Sequence, residues 1–290
     1  MLRATAISLP GVFLLALLLP LTTMPGVLHA DEDDPATDGG MQQPEDDGEE
    51  AGEDDPRAVV PELRVLDDAE ARPLVDALNK AARRRDTPDI QPALEALDGV
   101  RHEDFLKPLI KLLGNENGRM AQMAGDLLEF RATADVAKDL WKRGWDHKAN
   151  RRRYAVRTSV LRAYGRLGLD LDKRQFDDVV REWRWMLGNP HESFGPALAD
   201  ICWYVGVRGD KRHALAIAHE LDAPESTDAN NPATPPVEWW ERRWKQWQVM
   251  QPEAVRALER LTGTRLATRE EAKAWFLAHV DTFGVTWRDV

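Results

Sequence analysis

The strongest constraint on the fold is the spacing of apolar residues, which from Asp67 onward follows a helical rather than a strand period. In 103–113, Phe105, Leu106, Leu109, Ile110, Leu112 and Leu113 fall at i, i+1, i+4, i+5, i+7 and i+8. That spacing gives one broad apolar face. The polar stretch 114–118, glycine at both ends, stops the helix. Met120, Met123, Ala124, Leu127 and Leu128 then line one side of the next. Two amphipathic helices joined by so short a turn make an antiparallel hairpin. First helices are expected near 70–84, 103–113, 134–146, 172–187 and 210–221. Their partners are expected near 89–98, 119–131, 151–167 and 194–206, with none close by for the fifth. Successive first helices start roughly 31 to 38 residues apart. No window alternates with period two over a useful length, so no strands are expected. The fold class is therefore all-α. Repeats of this size, each with one unshielded face, point to an α–α superhelix of antiparallel helix pairs rather than a closed bundle.

Particular residues carry a family resemblance. The run from Phe105 through Lys107, Pro108 and Leu109 to Leu113 resembles the first helix of a HEAT repeat, with Pro108 at the family's kinking proline. The family's second helix opens aliphatic-Arg and then places small residues at three-residue steps. Val156 and Arg157 match the opening, Val160 replaces the first Ala, Ala163 matches the second, and Tyr164 stands for Leu. Met120, Ala124 and Leu128 fit the same frame, with Ala121 where the Arg should be, and Ala93, Ala96 and Leu97 fit one unit earlier. The small position thus steps from Ala93 to Ala124 to Val160, by 31 and then 36 residues. A small side chain there lets the two helices of a hairpin approach closely. The resemblance is clear over 85–170 and looser over 70–222, and it implies a scaffold fold that serves unrelated roles.

The rest of the chain divides by composition. Residues 1–30 have the parts of a signal peptide: Arg3, an apolar stretch over 7–21, and Ala30 before the cut. Pro10 and Pro20 interrupt the apolar run, which disfavours a spanning helix. Export is expected, with membrane attachment only if the segment stays uncleaved. Residues 31–56 hold thirteen Asp or Glu and no Lys or Arg, with Met41 as the only sizeable apolar residue. Such a composition cannot offset its chain entropy, so an acidic disordered linker is expected. It accounts for the net charge of −11, since 57–290 hold 38 basic and 37 acidic residues. Helical repeats are expected over 57–222 and a Pro-rich loop over 223–236. A C-terminal cap over 237–290 should comprise segments near 237–248, 252–262 and 268–280. Thr268 with Glu271 reads as a capping box. The stretch from Ala257 to Gly263, with Glu271 to Trp275, resembles the closing segment of secreted bacterial HEAT-repeat proteins.

Little in the sequence suggests chemistry. One cysteine excludes an intrachain disulfide framework and a multi-cysteine metal site. His213 and His219 are six apart and cannot share a metal as i, i+4 ligands would, while His102 and His191 open helices. Cys202, between Ile201 and Trp203, reads as a buried structural thiol. No nucleophile elbow, phosphate loop or dinucleotide fingerprint occurs. No catalytic residue, metal or cofactor is expected, and the chain reads as a non-enzyme.

What stands out is tryptophan: eleven, all after residue 140, against three tyrosines. Trp240, Trp244 and Trp247 fall at i, i+4 and i+7, with Arg243 among them. They either fill gaps between helices or form an aromatic and basic platform. Arg83–Arg85 end a helix, where cations suit the dipole; Arg151, Arg152 and Arg153 open one, where they do not. The candidate binding surface is therefore Trp240, Arg243, Trp244 and Trp247, with Arg151 and Arg152. HEAT-like DNA alkylation-repair glycosylases resemble this basic, Trp-lined region. The near-neutral body, the signal segment and the lack of a matching catalytic carboxylate motif disfavour nucleic acid. The expectation is an exported scaffold or adaptor presenting a concave surface to a protein or peptide. The alternative is a carbohydrate- or cell-wall-binding module using exposed tryptophans.

Overall fold

A computed structural model describes residues 57, 59–83, 87–225 and 235–288. The signal-peptide and acidic-linker readings of 1–30 and 31–56 lie outside these residues, as do Arg84 and Arg85. The described residues are mostly helical. A two-residue strand, β1 (Arg64–Val65), leads into α1 (Asp68–Arg83) and α2 (Ile90–Glu95). After β2 (Val100–Arg101) come α3 (Leu106–Leu112), α4 (Gly118–Glu129) and α5 (Ala137–Leu140), the last continuing as a π-helix over Trp141–Trp145. Then follow α6 (Tyr154–Arg166), α7 (Lys173–Gly188), α8 (Gly195–Arg208) and α9 (Ala214–Ala218). The chain closes with α10 (Val237–Thr262), α11 (Arg269–Ala278) and α12 (Val280–Phe283). No described helix is long and apolar enough to cross a membrane.

Neighbours in sequence pair, and alternate helices stand side by side. Within pairs, α1 lies on α2 and α3 on α4. Between pairs, α4 packs on α6, α6 on α8, and α8 most extensively on α10. These contacts are close because small residues sit where the helices meet. A Cβ on Gly206 would lie 2.7 Å from the Ala257 Cα, so α8 and α10 touch backbone to backbone. At the expected small position, Val160 is instead accommodated by Gly144 opposite, where an added Cβ would come within 2.3 Å of the Val160 side chain.

Several expectations need correction. The segments expected at 237–248 and 252–262 form one 26-residue helix with Pro252 inside it. Proline removes one backbone donor and normally interrupts a helix. Here Pro252 is on the exposed side, while Met250, Ala254, Val255, Ala257 and Leu258 keep one apolar face buried through it. That docking on α8 outweighs the local cost. The helix expected at 134–146 is broken into a 3-10 turn, the short α5 and the π-helix, whose Trp141 carbonyl accepts from Asp146 N–H at 3.0 Å. The fifth first helix shrinks to a 3-10 turn and α9; α10, packed against it from beyond 219–236, is its partner. β1 and β2, where none was expected, pair in parallel with Arg64 opposite Val100. Two residues are too short to show a period of two. Buried Arg131 fixes the neighbourhood, donating to the carbonyls of Leu97 (2.5 Å), Val100 (2.8 Å) and Leu127 (3.0 Å).

Histidines start several helical turns. The Nδ1 atoms of His102, His147 and His191 accept from the backbone N–H of Asp104 (3.3 Å), Ala149 (3.4 Å) and Ser193 (3.2 Å). Each bond requires that nitrogen to be unprotonated. At the C-terminal end, Thr268 and Glu271 form a reciprocal capping box, each accepting the other's backbone N–H at 3.2 Å. There α11 packs on α9, and Phe276, Phe283 and Trp287 are buried.

Candidate functional site

Arg151 and Arg152 lie in the turn before α6, and the local chain explains why they face outward. Buried Asn150 anchors the turn by donating from Nδ2 to the carbonyls of Leu113 (2.9 Å), Gly144 (3.0 Å) and Arg143 (3.2 Å). On the other side, Arg153 donates to the carbonyls of Asn115 (2.5 Å) and Glu116. Held at both ends, the turn leaves Arg151 and Arg152 exposed. Neither makes an ion pair among the described residues.

These two arginines border an open cleft of about 500 Å³ between the π-helix, the start of α6 and the middle of α7. Its aromatic residues are Trp145, Tyr154 and Trp185. The rings of Tyr154 and Trp185 stack at 5.8 Å and 17°, Phe194 meets Tyr154 edge-on at 4.8 Å, and Trp185 is 44% exposed. Arg157, only 5% exposed, also lines it. Its guanidinium lies 4.2 Å above the Trp145 ring, Nη1 contacts Glu182 at 3.0 Å, and Nε has no partner among the described residues. Burial, reinforced by Glu182, raises the Tyr154 hydroxyl pKa to about 12, so the phenol is neutral.

The cleft's carboxylates are already engaged. Asp146 pairs with Arg174, Asp178 with Arg181 and Arg174, and Glu182 with Arg157. The free charge at its border is therefore positive, on Arg151 and Arg152. The cleft can hold an anionic group beside an apolar one. Among the described residues no group of three or more His, Cys, Asp or Glu could bind a metal. Cys202 is fully buried, and burial holds its thiol well above the ordinary value, so it is a protonated core thiol.

The other sequence-nominated surface, on α10, divides by exposure. Arg243 is 6% exposed and pairs with Glu220. Burial lowers the Arg243 pKa and raises that of Glu220, so desolvation outweighs their attraction on both partners. Trp247 is half-buried and donates from Nε1 to the carbonyls of Glu220 (3.2 Å) and Leu221 (3.1 Å). Trp240 is half-buried with its ring against Trp239, while Trp244 is 45% exposed. Arg243 and Trp247 thus dock α10 onto the turn after α9, and the three indoles do not form an exposed row.

Sequence reasoning missed a ladder of alternating charges across the α4, α6, α8 and α10 row. Arg162 contacts Asp126 (2.6 Å), Glu129 (2.5 Å) and Asp200 (2.5 Å), and Arg166 contacts Glu129 at 3.2 Å. Arg57 joins Asp200 (3.5 Å) to Glu253 (3.0 Å), which Arg256 (3.1 Å) and Arg260 (2.8 Å) also hold. Burial opposes the Arg162 cation, but Asp200, Glu129 and Asp126 outweigh it and hold its pKa above the ordinary value. The sequence does contain a signal: Asp126 and Asp200 lie 36 and 38 residues from Arg162, similar separations on either side.

No protein-family model matches the chain, and no curated protein or solved structure matches it.

Proposed function

We propose that this chain is an exported, non-enzymatic scaffold, an α–α superhelix of HEAT type that presents a surface to a protein or peptide partner. The observation that carries this reading is the cleft formed by Trp145, Tyr154, Trp185, Arg151, Arg152 and Arg157. Trp, Tyr and Arg are the residues on which binding energy concentrates at protein interfaces. Here they are held in place by Asn150, Arg153 and the Tyr154–Trp185 stack before any partner arrives. The superhelical part of the reading is supported by the side-by-side contacts of α4, α6, α8 and α10. The export part rests on the basic start and apolar stretch of 1–30.

A photo-cross-linking amino acid in place of Trp185, in the full-length chain, tests the scaffold reading in the producing cell. Position Leu277 on α11, 53% exposed, provides the control. The reading expects discrete protein adducts from 185 that are absent from 277. Equal adduct patterns at the two positions would contradict it. The carbohydrate reading keeps one specific support, the exposed Trp185 and Trp244. Quenching of their fluorescence by neutral cell-wall polysaccharide would favour it.

A further inference from the structure

The geometry points to an acidic peptide segment, with an apolar side chain beside its carboxylates, as the ligand of the Trp185–Arg151–Arg152 cleft. This inference rests on the scaffold reading and specifies the partner's chemistry. Three observations select the ligand's charge. Arg151 and Arg152 are exposed and lack an ion pair among the described residues. Arg157, more than nine-tenths buried and lining the same cleft, holds Glu182 through Nη1 and has an Nε without a partner among the described residues. Asp146, Asp178 and Glu182, which would otherwise repel an anion, are neutralised by Arg174, Arg181 and Arg157. The guanidinium fork suits a carboxylate, which it can hold through two parallel hydrogen bonds.

The cleft's charge also favours a peptide over a neutral sugar. A neutral sugar has no charge to match Arg151 and Arg152, and the cleft's carboxylates are already ion-paired to Arg174, Arg181 and Arg157. What remains is cationic donors on one side and the exposed Trp185 ring on the other. That combination matches a chain with alternating acidic and apolar side chains. The turn is fixed by Asn150 and Arg153 and the aromatic wall by stacking, so little ordering is required on binding.

The test is fluorescence anisotropy of the full-length protein with a short fluorescein-labelled peptide of alternating Glu and Leu. The same peptide with Gln for Glu, one with Lys for Glu, and an oligogalacturonate serve as comparisons. The acidic peptide should bind saturably and weaken as salt is raised, because its contacts are charged. The Gln peptide should bind at least about tenfold more weakly, as expected when charge-assisted hydrogen bonds are lost. Arg151→Glu combined with Arg152→Glu should produce a loss of similar size with unchanged Tm, since both side chains are exposed. Trp185→Ala should weaken the acidic peptide as well. Equal binding of the Gln or Lys peptide, or undiminished binding to the double variant, overturns the inference. Tighter binding of oligogalacturonate than of the peptide also overturns it, in favour of an acidic glycan. If the peptide fails while position 185 still cross-links a protein, the acidic-peptide inference falls and the scaffold reading stands. If the peptide binds but position 185 yields only the control adducts, the cleft chemistry stands and the scaffold reading falls.

Discussion

Arg162 shows how much a single side chain can determine here. Among the described residues it is the only cation paired with Asp126, and it joins Glu129 to Asp200 across three helices. Arg162→Ala would leave Glu129 to Arg166 and Asp200 to Arg57, a cost of about 2–3 kcal/mol for the lost charge-assisted hydrogen bonds. Denaturant unfolding should show that loss; a change below about 1 kcal/mol would mean the ladder holds no stability. His213 works through what it lacks. It is buried beside Phe176 and Trp183, and neither ring nitrogen has a hydrogen-bond partner among the described residues. Burial lowers its pKa from 6.5 to about 4; Arg184 and Arg212 act in the same direction and Asp210 opposes them. The neutral ring is therefore the folded form. Its contribution is complete above about pH 6.5 and is lost as pH falls toward 4, to the extent of about 3 kcal/mol. Burial also lowers the His147 pKa, so loss of its cap adds a slope of the same sign. Tm measured across pH 4 to 6.5 should fall steeply with acidity, and His213→Leu should flatten that fall. An unchanged slope would remove His213 from the account. Histidine positions are easy to see in the sequence. Which are caps and which is buried without partners depends on tertiary neighbours far along the chain.

Among the elements, those with strong periodicity were legible in the sequence. The apolar faces of 103–113 and 119–131 correspond to α3 and α4, and the capping box at Thr268 fixes the start of α11. Less legible were elements decided by packing against distant parts of the chain. Pro252 reads locally as a boundary, yet α10 runs through it because its buried face meets α8. The space around two glycines, Gly206 at this contact and Gly188 away from it, predicts opposite outcomes. Gly206→Ala places a Cβ against the Ala257 backbone and should destabilise by about 1–3 kcal/mol, the usual range for overpacking. Gly188→Ala meets nothing within 4 Å in the last residue of α7 and should stabilise by about 0.5 kcal/mol through helix propensity. Thermal unfolding of both variants checks the pair. Equal shifts would mean that the α8–α10 contact is looser than described. The candidate site was half legible: Arg151 and Arg152 stood out as cations at a helix start, but Trp185 did not. Its partner in the stack, Tyr154, lies 31 residues earlier, and only the fold brings the rings together.

At the scale of the whole molecule, the near balance of charge in 57–290 hides an organised distribution. Along the α4–α10 row, opposite charges pair off and hold neighbouring helices together. At the start of α6, two cations have no ion pair among the described residues and stand beside an exposed indole. The first arrangement holds neighbouring helices together, and the second is the surface proposed for a partner. Net charge alone distinguishes neither. The most direct measurement is the cross-linking yield from position 185 in cells carrying Arg151→Glu and Arg152→Glu, compared with the same position in an otherwise unaltered chain. The account predicts that the protein adduct disappears while Tm stays the same. An adduct of undiminished yield would contradict it.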